Sequence, residues 1–328
     1  MQTPDTPMTR LSLVVPVFNE QDSIDAFIAE CDHHLAGLKG LSLEYVFVND
    51  GSTDDTLERL LAQVDADPRV TVVDLSRNFG KEAALSAGIN AAQGDAVVPM
   101  DVDLQDPPAL IPVLIERWRE GFEVVLARRS DRGQDAWLKR TSAGAFYRIH
   151  NLISEPSIPP NVGDFRLMDR VVVDALRDLP ESRRFMKGLF AWVGFRTAIV
   201  DYQRPARHAG QSKFSGWRLW NLALEGLTSF STAPLRVWTY LGLTVSMLSI
   251  AFALFIVFKV LVNGIDVPGY ASVIVALTLL GGLQMMGIGI LGEYLGRTYL
   301  ESKRRPIYLV RRVHQNNRCA KTDIPAKG

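Results

Sequence analysis

Two carboxylates, Asp101 and Asp103, stand one residue apart where an apolar run, Ala96 to Met100, gives out just before Pro107-Pro108. Paired acids at a strand end repel each other unless a cation sits between them. A few hard oxygen ligands, with positions left open for phosphate oxygens, suit Mg²⁺ or Mn²⁺. Asp101-Val102-Asp103 therefore reads as a metal clamp for a diphosphate, or else as a solvated acidic turn, since a D-x-D triplet alone is common. Other polar clusters close short apolar runs in the same way: Asn19-Glu20, Asn49-Asp50, Ser76-Arg77-Asn78 and Arg128-Arg129. Further on, Asp164 and Arg166 flank Phe165, and Arg207 to Phe214 is a basic, Gly-containing loop that reads as a holder of an anionic lipid head, or else as a plain basic loop beside a membrane.

Those clusters need elements to carry them. Leu11–Phe18, Glu44–Val48, Val70–Leu75, Ala96–Met100 and Glu123–Ala127 are β-branched or apolar runs, read as strands. Helical spacing of apolar residues fills the gaps at 21–38, 56–64, 81–92 and 108–119. Alternating strands and helices predict a mostly parallel α/β sheet. Ligands bind such sheets outside the carboxyl ends of the strands, so five polar strand ends make one site. There is no G-x-G-x-x-G after the first strand and no G-x-x-x-x-G-K-[ST], which removes the main support for a dinucleotide or P-loop site. A diphosphate then needs a metal and basic side chains, which Asp101/Asp103 and Arg128/Arg129 supply. Arg196–Tyr202 reads as a last strand, and the aromatic-rich 186–195 as a segment able to close a pocket.

Composition sets outer bounds. The 328 residues hold 36 Lys+Arg and 36 Asp+Glu, so charge points to no polyanionic partner and no nucleic acid. The two cysteines, Cys31 and Cys319, form no disulfide framework or metal pattern. Residues 1–10 lack an apolar core and read, with 314–328, as disordered tails. Residues 134–153 read as an amphipathic basic helix at a membrane surface, or as an ordinary surface helix. Residues 238–258 and 267–292 carry no charge over 21 and 26 positions, each enough to span about 30 Å of hydrocarbon. Basic residues on both outer flanks predict both termini in the cytoplasm. Gly281, Gly282, Gly287, Gly289 and Gly292 offer small faces for close helix contact, hence oligomers. The expected organisation is a 1–10 tail, a catalytic domain at 11–214 and a juxtamembrane helix at 215–233. Spans at 234–262 and 267–292, a basic helix at 293–313 and a 314–328 tail complete it.

Taken together, the motifs resemble a known family. They are Val-Pro-Val-Phe-Asn-Glu at 15–20, Val-Asn-Asp-Gly-Ser-Thr-Asp at 48–54 and Leu-Ser-Arg-Asn-Phe-Gly-Lys-Glu at 75–82. Asp-Val-Asp-Leu-Gln-Asp-Pro follows at 101–107, Val-Gly-Asp-Phe-Arg-Leu-Met at 162–168 and Phe-Met-Lys-Gly at 185–188. Trp-Asn-Leu-Ala-Leu-Glu-Gly at 220–226 and Leu-Gly-Glu-Tyr-Leu-Gly-Arg-Thr-Tyr at 291–299 complete the set. Over about 10–312 the chain is similar to the membrane-anchored family 2 glycosyltransferases of GT-A fold that use polyprenyl phosphate. Within them it looks most like the bactoprenol (undecaprenyl-phosphate) glucosyltransferases, relatives of dolichol-phosphate mannose synthase. The fold so implied is a Rossmann-like GT-A domain followed by interfacial helices and two transmembrane helices.

The resemblance implies roles. Pro16, Val17, Asn19, Glu20, Asp50, Lys81, Asp101 and Val102 would bind the nucleotide sugar. Asp101, Asp103 and Gln105 would hold or flank Mg²⁺ or Mn²⁺, with Asp103 and Asp164 catalytic. Arg128, Arg166, Arg207, Ser212 and Lys213 would meet phosphates of donor or lipid. The family usually has two acids after its second strand, whereas this chain has Asn49-Asp50. No Q-x-x-R-W is present, which argues against a processive synthase. The expected reaction is inverting hexose transfer, from UDP-glucose by resemblance, to undecaprenyl phosphate at the inner face of the cell's inner membrane. The partners expected are the membrane, further copies of the chain up to a tetramer, a separate flippase and a downstream glycosyltransferase. The alternatives are another donor of GDP-mannose or UDP-aminoarabinose type, or a non-catalytic scaffold that binds nucleotide sugars.

Overall fold

A computed structural model describes residues 8–129, 162–179, 181, 186–202, scattered positions from 238 to 262, and 269–316. Eight strands form one sheet: β1 Thr9–Val17, β2 Leu41–Asn49, β3 Val70–Leu75, β4 Ala96–Pro99, β5 Val124–Arg129, β6 Val162–Asp169, β7 Thr197–Tyr202 and β8 Val310–Gln315. Their spatial order is β7-β5-β6-β4-β1-β2-β3-β8. The helices are α1 Ile24–Leu35, α2 Thr56–Ala66, α3 Lys81–Ala91, α4 Ile111–Arg119, α5 Arg170–Arg177, α6 Met186–Trp192 and α7 Tyr270–Ser302.

Side chains alternate across a strand, so each central strand feeds two cores. Leu11, Leu13, Val15 and Val17 of β1 face one layer with α1 (Ile24, Phe27), α2 (Leu60, Val64) and α4 (Ile111, Leu114). Val14 of β1 and Val46 and Val48 of β2 face the other, with α3 (Ala84, Leu85), α5 (Val172, Leu176) and α6 (Met186, Leu189). Both faces are covered, which is why the central strands read as continuous apolar runs. α3 lies close on the sheet because Gly88 lets it: a Cβ there would run into Val14 Cγ1 and come 3.0 Å from Val48 Cγ2.

Three expectations change. The sheet is mixed rather than mostly parallel. β1 pairs β2 and β4, β2 pairs β3 and β5 pairs β7 in parallel, but β6 runs against β4 and β5, and β8 against β3. The cause is that 162–169, given no element from sequence, and 310–315 both enter the sheet as antiparallel strands. Second, the helix expected at 293–313 reaches only Ser302, where α7 ends, and the chain then returns as edge strand β8. It closes β3 through antiparallel backbone pairing, and its Gln315 lies beyond the expected start of the C-terminal tail. Third, among the described residues no helix is long and apolar enough to cross a membrane, so the spans at 234–262 and 267–292 are not supported. α7 takes in most of the second segment but continues past Gly292, where the charge-free run ends. The first segment is described only at scattered positions, and 134–153 and 215–233 lie outside the described residues. At the other end β1 starts at Thr9, inside the expected N-terminal tail.

Candidate functional site

The carboxyl ends of β1, β2 and β4 come together because these strands are parallel neighbours. They open on a cavity of about 330 Å³ that contains Pro16, Val17, Glu20, Asp50, Lys81, Asp101, Val102 and Asp103. Phe18, Asn78, Gly80 and Ala84 line it as well. Asn78 belongs to the polar cluster at 76–78 expected at the site; Phe18, Gly80 and Ala84 were missed because apolar side chains and a glycine leave no polar signal.

Asn19 does not line the cavity; it braces it. Its backbone takes a left-handed φ of 56°. Its side-chain oxygen accepts from Thr53 N at 2.8 Å, and its own N–H donates to Ser52 Oγ at 3.0 Å. The short polar side chain tolerates this conformation and ties the loop after β1 to the loop after β2. Asn49 does related work, donating to Asp74 Oδ1 at 2.8 Å and accepting from Ser52 N at 3.2 Å. With asparagine here, the end of β2 offers one acid, Asp50, where the resembled family usually has two.

Asp50 is 3 % exposed, and its carboxylate accepts from Phe79 N at 2.7 Å and Gly80 N at 2.9 Å. Burial pushes its pKa above the usual carboxylate value, and the two backbone N–H groups oppose that. Asp50 thus fixes the loop that leads into α3 while showing its edge to the cavity. Gly51 makes the approach possible: a Cβ at its φ of 66° would lie 2.5 Å from Arg77 C and Asn78 N.

Lys81, the first residue of α3, joins the acids. Its Nζ lies 2.6 Å from Asp101 Oδ1 and 3.2 Å from Asp164 Oδ2. Burial would lower the lysine pKa, but Asp101 and Asp164 hold it above the ordinary value. Asp101 and Asp164 come from different strands, the first following β4 and the second within β6, and meet because these strands are neighbours. Asp103 instead accepts from the Gln105 backbone N–H at 3.2 Å and from its side-chain amide. Between them Leu104 takes φ 55°, unusual for a branched side chain, so the acidic turn holds local strain.

The basic residues divide differently from expectation. Successive side chains on β5 point to opposite faces. Arg128 pairs with Asp201 on β7, at 2.6 and 2.9 Å, and is not among the cavity residues. Arg129 turns to the acidic side, with Nη2 3.7 Å from Asp106 Oδ1 and Nε donating to Tyr202 OH at 3.2 Å. Tyr202 OH in turn donates to buried Asp106 at 2.8 Å; burial pushes this phenol up to about 12. Arg166 is 4 % exposed, under the ring of Phe190 at 4.0 Å, and donates to the carbonyls of Gly163 and Asp164. Burial lowers its pKa to about 10, against the pull of Asp164. It braces the backbone around Asp164 and is not open to a lipid phosphate. Arg207, Ser212 and Lys213 lie outside the described residues. Among the described residues no group of three or more His, Cys, Asp or Glu could hold a metal ion by itself.

Residues 12–177 match a family model described as glycosyl transferase family 2. An uncharacterized glycosyltransferase of Synechocystis sp. is 52 % identical over 300 residues, covering 92 % of this chain and 94 % of that one. The prophage bactoprenol glucosyl transferase homolog of Escherichia coli is 52 % identical over 304 residues, covering 93 % and 99 %. The SfII prophage-derived bactoprenol glucosyl transferase of Shigella flexneri is 53 % identical over 308 residues, covering 94 % and 99 %.

Proposed function

The chain belongs to glycosyl transferase family 2, and from that membership we propose that it transfers a glucosyl group from a nucleotide sugar to the phosphate of a polyprenyl lipid. The single observation that carries the site assignment is the cavity that brings Asp101, Asp103, Asp50 and Lys81 together at the strand ends. UDP-glucose is the donor of this reading, with the uridine side toward Pro16, Val17 and Asp50. A phosphate oxygen of the lipid attacks the anomeric carbon from the face opposite the diphosphate, so configuration inverts.

The acids fit a divalent cation. Asp101 already draws a positive group, the Lys81 ammonium, to 2.6 Å. Two carboxylates from the protein leave room for diphosphate oxygens, the ligand set that Mg²⁺ favours. Asp101 and Asp103 would hold Mg²⁺ or Mn²⁺, with Gln105 orienting Asp103. The ion supplies charge neutralisation for the departing diphosphate. Lys81 adds positive charge to the same region. Asp164, beside Lys81, orients the reacting groups or takes a proton. A phosphate monoester has a second pKa of about 6, so the acceptor is largely dianionic at pH 7 and needs little help from a base.

The reading places the reaction at the cytoplasmic face of a cell membrane, where the lipid's phosphate lies. Val273, Leu277, Met285, Leu291 and other apolar side chains exposed along α7 support an apolar surrounding there. Assembly into oligomers, a separate flippase and a downstream glycosyltransferase belong to the same proposal. The test is incubation of the purified protein with undecaprenyl phosphate and labelled UDP-glucose, GDP-mannose or UDP-aminoarabinose. Glucose is expected in the lipid product, and excess EDTA is expected to stop its formation. Labelling from GDP-mannose alone, or no labelled lipid from any donor, overturns the reading.

A further inference from the structure

This inference rests on the donor-site reading above and deepens it. Lys81 sits where the start of α3 is closely held: Gly80 has φ 97°, and its N–H is taken by Asp50. From there one ammonium reaches Asp101 and Asp164 at 2.6 and 3.2 Å. The lysine side chain is 48 % exposed and Asp101 37 %, so the pair faces the cavity rather than the core. A hard divalent ion and an ammonium compete for the same Asp101 oxygen, since like charges at that separation repel. A lysine stem is flexible and carries a compact charge, so the head can move while the helix stays put. The anion that enters the same cavity is the donor's diphosphate.

We propose that Lys81 is an exchangeable counter-ion of the site: it occupies Asp101 until a divalent ion binds there, then passes its ammonium to the donor's diphosphate. Lys81 therefore opposes metal binding in the absence of donor and assists it in its presence. A lysine with a merely structural role does not reverse sign in this way.

The test uses the full chain in detergent and reads free Mn²⁺ by electron paramagnetic resonance, with and without UDP. Lys81→Met is expected to bind Mn²⁺ alone about fivefold more tightly than the unaltered protein, the scale of a partly exposed ion pair. It is expected to gain less affinity from saturating UDP. Lys81→Arg, which keeps the charge, is expected to restore weak Mn²⁺ binding in the absence of UDP. Equal or weaker Mn²⁺ binding by Lys81→Met alone overturns the proposal, while leaving the donor-site reading intact. Failure of every protein to hold Mn²⁺, even with UDP, overturns both. Lys81→Gln serves the same comparison if Lys81→Met does not fold.

Discussion

Asp103 and Asp164 separate at the level of single residues. Asp103→Ala is expected to lower labelled-sugar transfer at least about 100-fold, the usual effect of removing a group that stabilises a leaving charge. Asp164→Asn is expected to leave a measurable fraction, because a dianionic phosphate attacks without a strong base. An unimpaired Asp103→Ala protein would sink this assignment. The cavity residues were legible because polar residues at parallel strand ends converge by topology, so no distances were needed. Arg128 and Arg129 were not separable, because which of two neighbours faces the site depends on strand phase. Arg166 was misjudged for a related reason. Arginine is rarely fully buried, and only the strand path of 162–169 with the Phe190 ring above it makes this one internal. Asn19 was placed at the correct loop but given a ligand's role, whereas its hydrogen bonds serve the neighbouring turn.

At the level of elements, the seating of α3 on the sheet and the link from α1 to β3 give two measurable consequences. Gly88→Ala puts a methyl group against Val14 and Val48 of the sheet. It is expected to cost about 1–3 kcal/mol, seen as a lowered melting temperature. Arg69, just before β3, grips Asp32 of α1 with two bonds of 2.8 Å and also holds Asp67. Its hydrogen bonds keep the Asp32 carboxyl below its usual value, against burial. A depressed carboxyl stabilises the fold above its unfolded pKa of 3.8 and loses that contribution as pH falls through the folded value. Arg69→Ala is therefore expected to lower stability at pH 7 by on the order of 1 kcal/mol, discounted for partial exposure. The gap should close as the medium is acidified below the unfolded pKa; a constant gap across that range would refute the assignment. Five strands and four helices of the first half were readable from periodicity. β6 was not, since Gly163-Asp164-Phe165-Arg166 has polar residues on a strand covered on both sides. β8 was hidden because six residues following a long apolar helix, with three basic and polar neighbours, look like more helix.

For the molecule as a whole, the far end of the chain completes the sheet that carries the site. Arg311 reaches Asp74 at 3.3 Å and the Ser76 carbonyl at 2.8 Å, and Leu309 O accepts from Ser76 N at 2.9 Å. Asp74 in turn holds Asn49, whose oxygen orders Ser52 beside the cavity. Removing 306–328 is expected to leave β3 as a bare edge, with self-association visible by size-exclusion chromatography and weaker UDP binding. A monodisperse truncated protein with full UDP affinity would refute that link. The apolar character of the last hundred residues was plain from sequence, but their return to the sheet was not, because periodicity says nothing about which distant segment pairs with which.

Because β8 comes from 310–315, the ribosome has made all seven other strands of the sheet before the partner for β3 exists. Until then the nascent domain presents an open strand margin for as long as translation from the end of β7 to the end of β8 takes, a window of roughly 6–23 seconds at about 5–20 residues per second. Chaperone occupancy at that margin, or early docking of α7 into a lipid or protein environment, would then govern how much newly made protein reaches the native state.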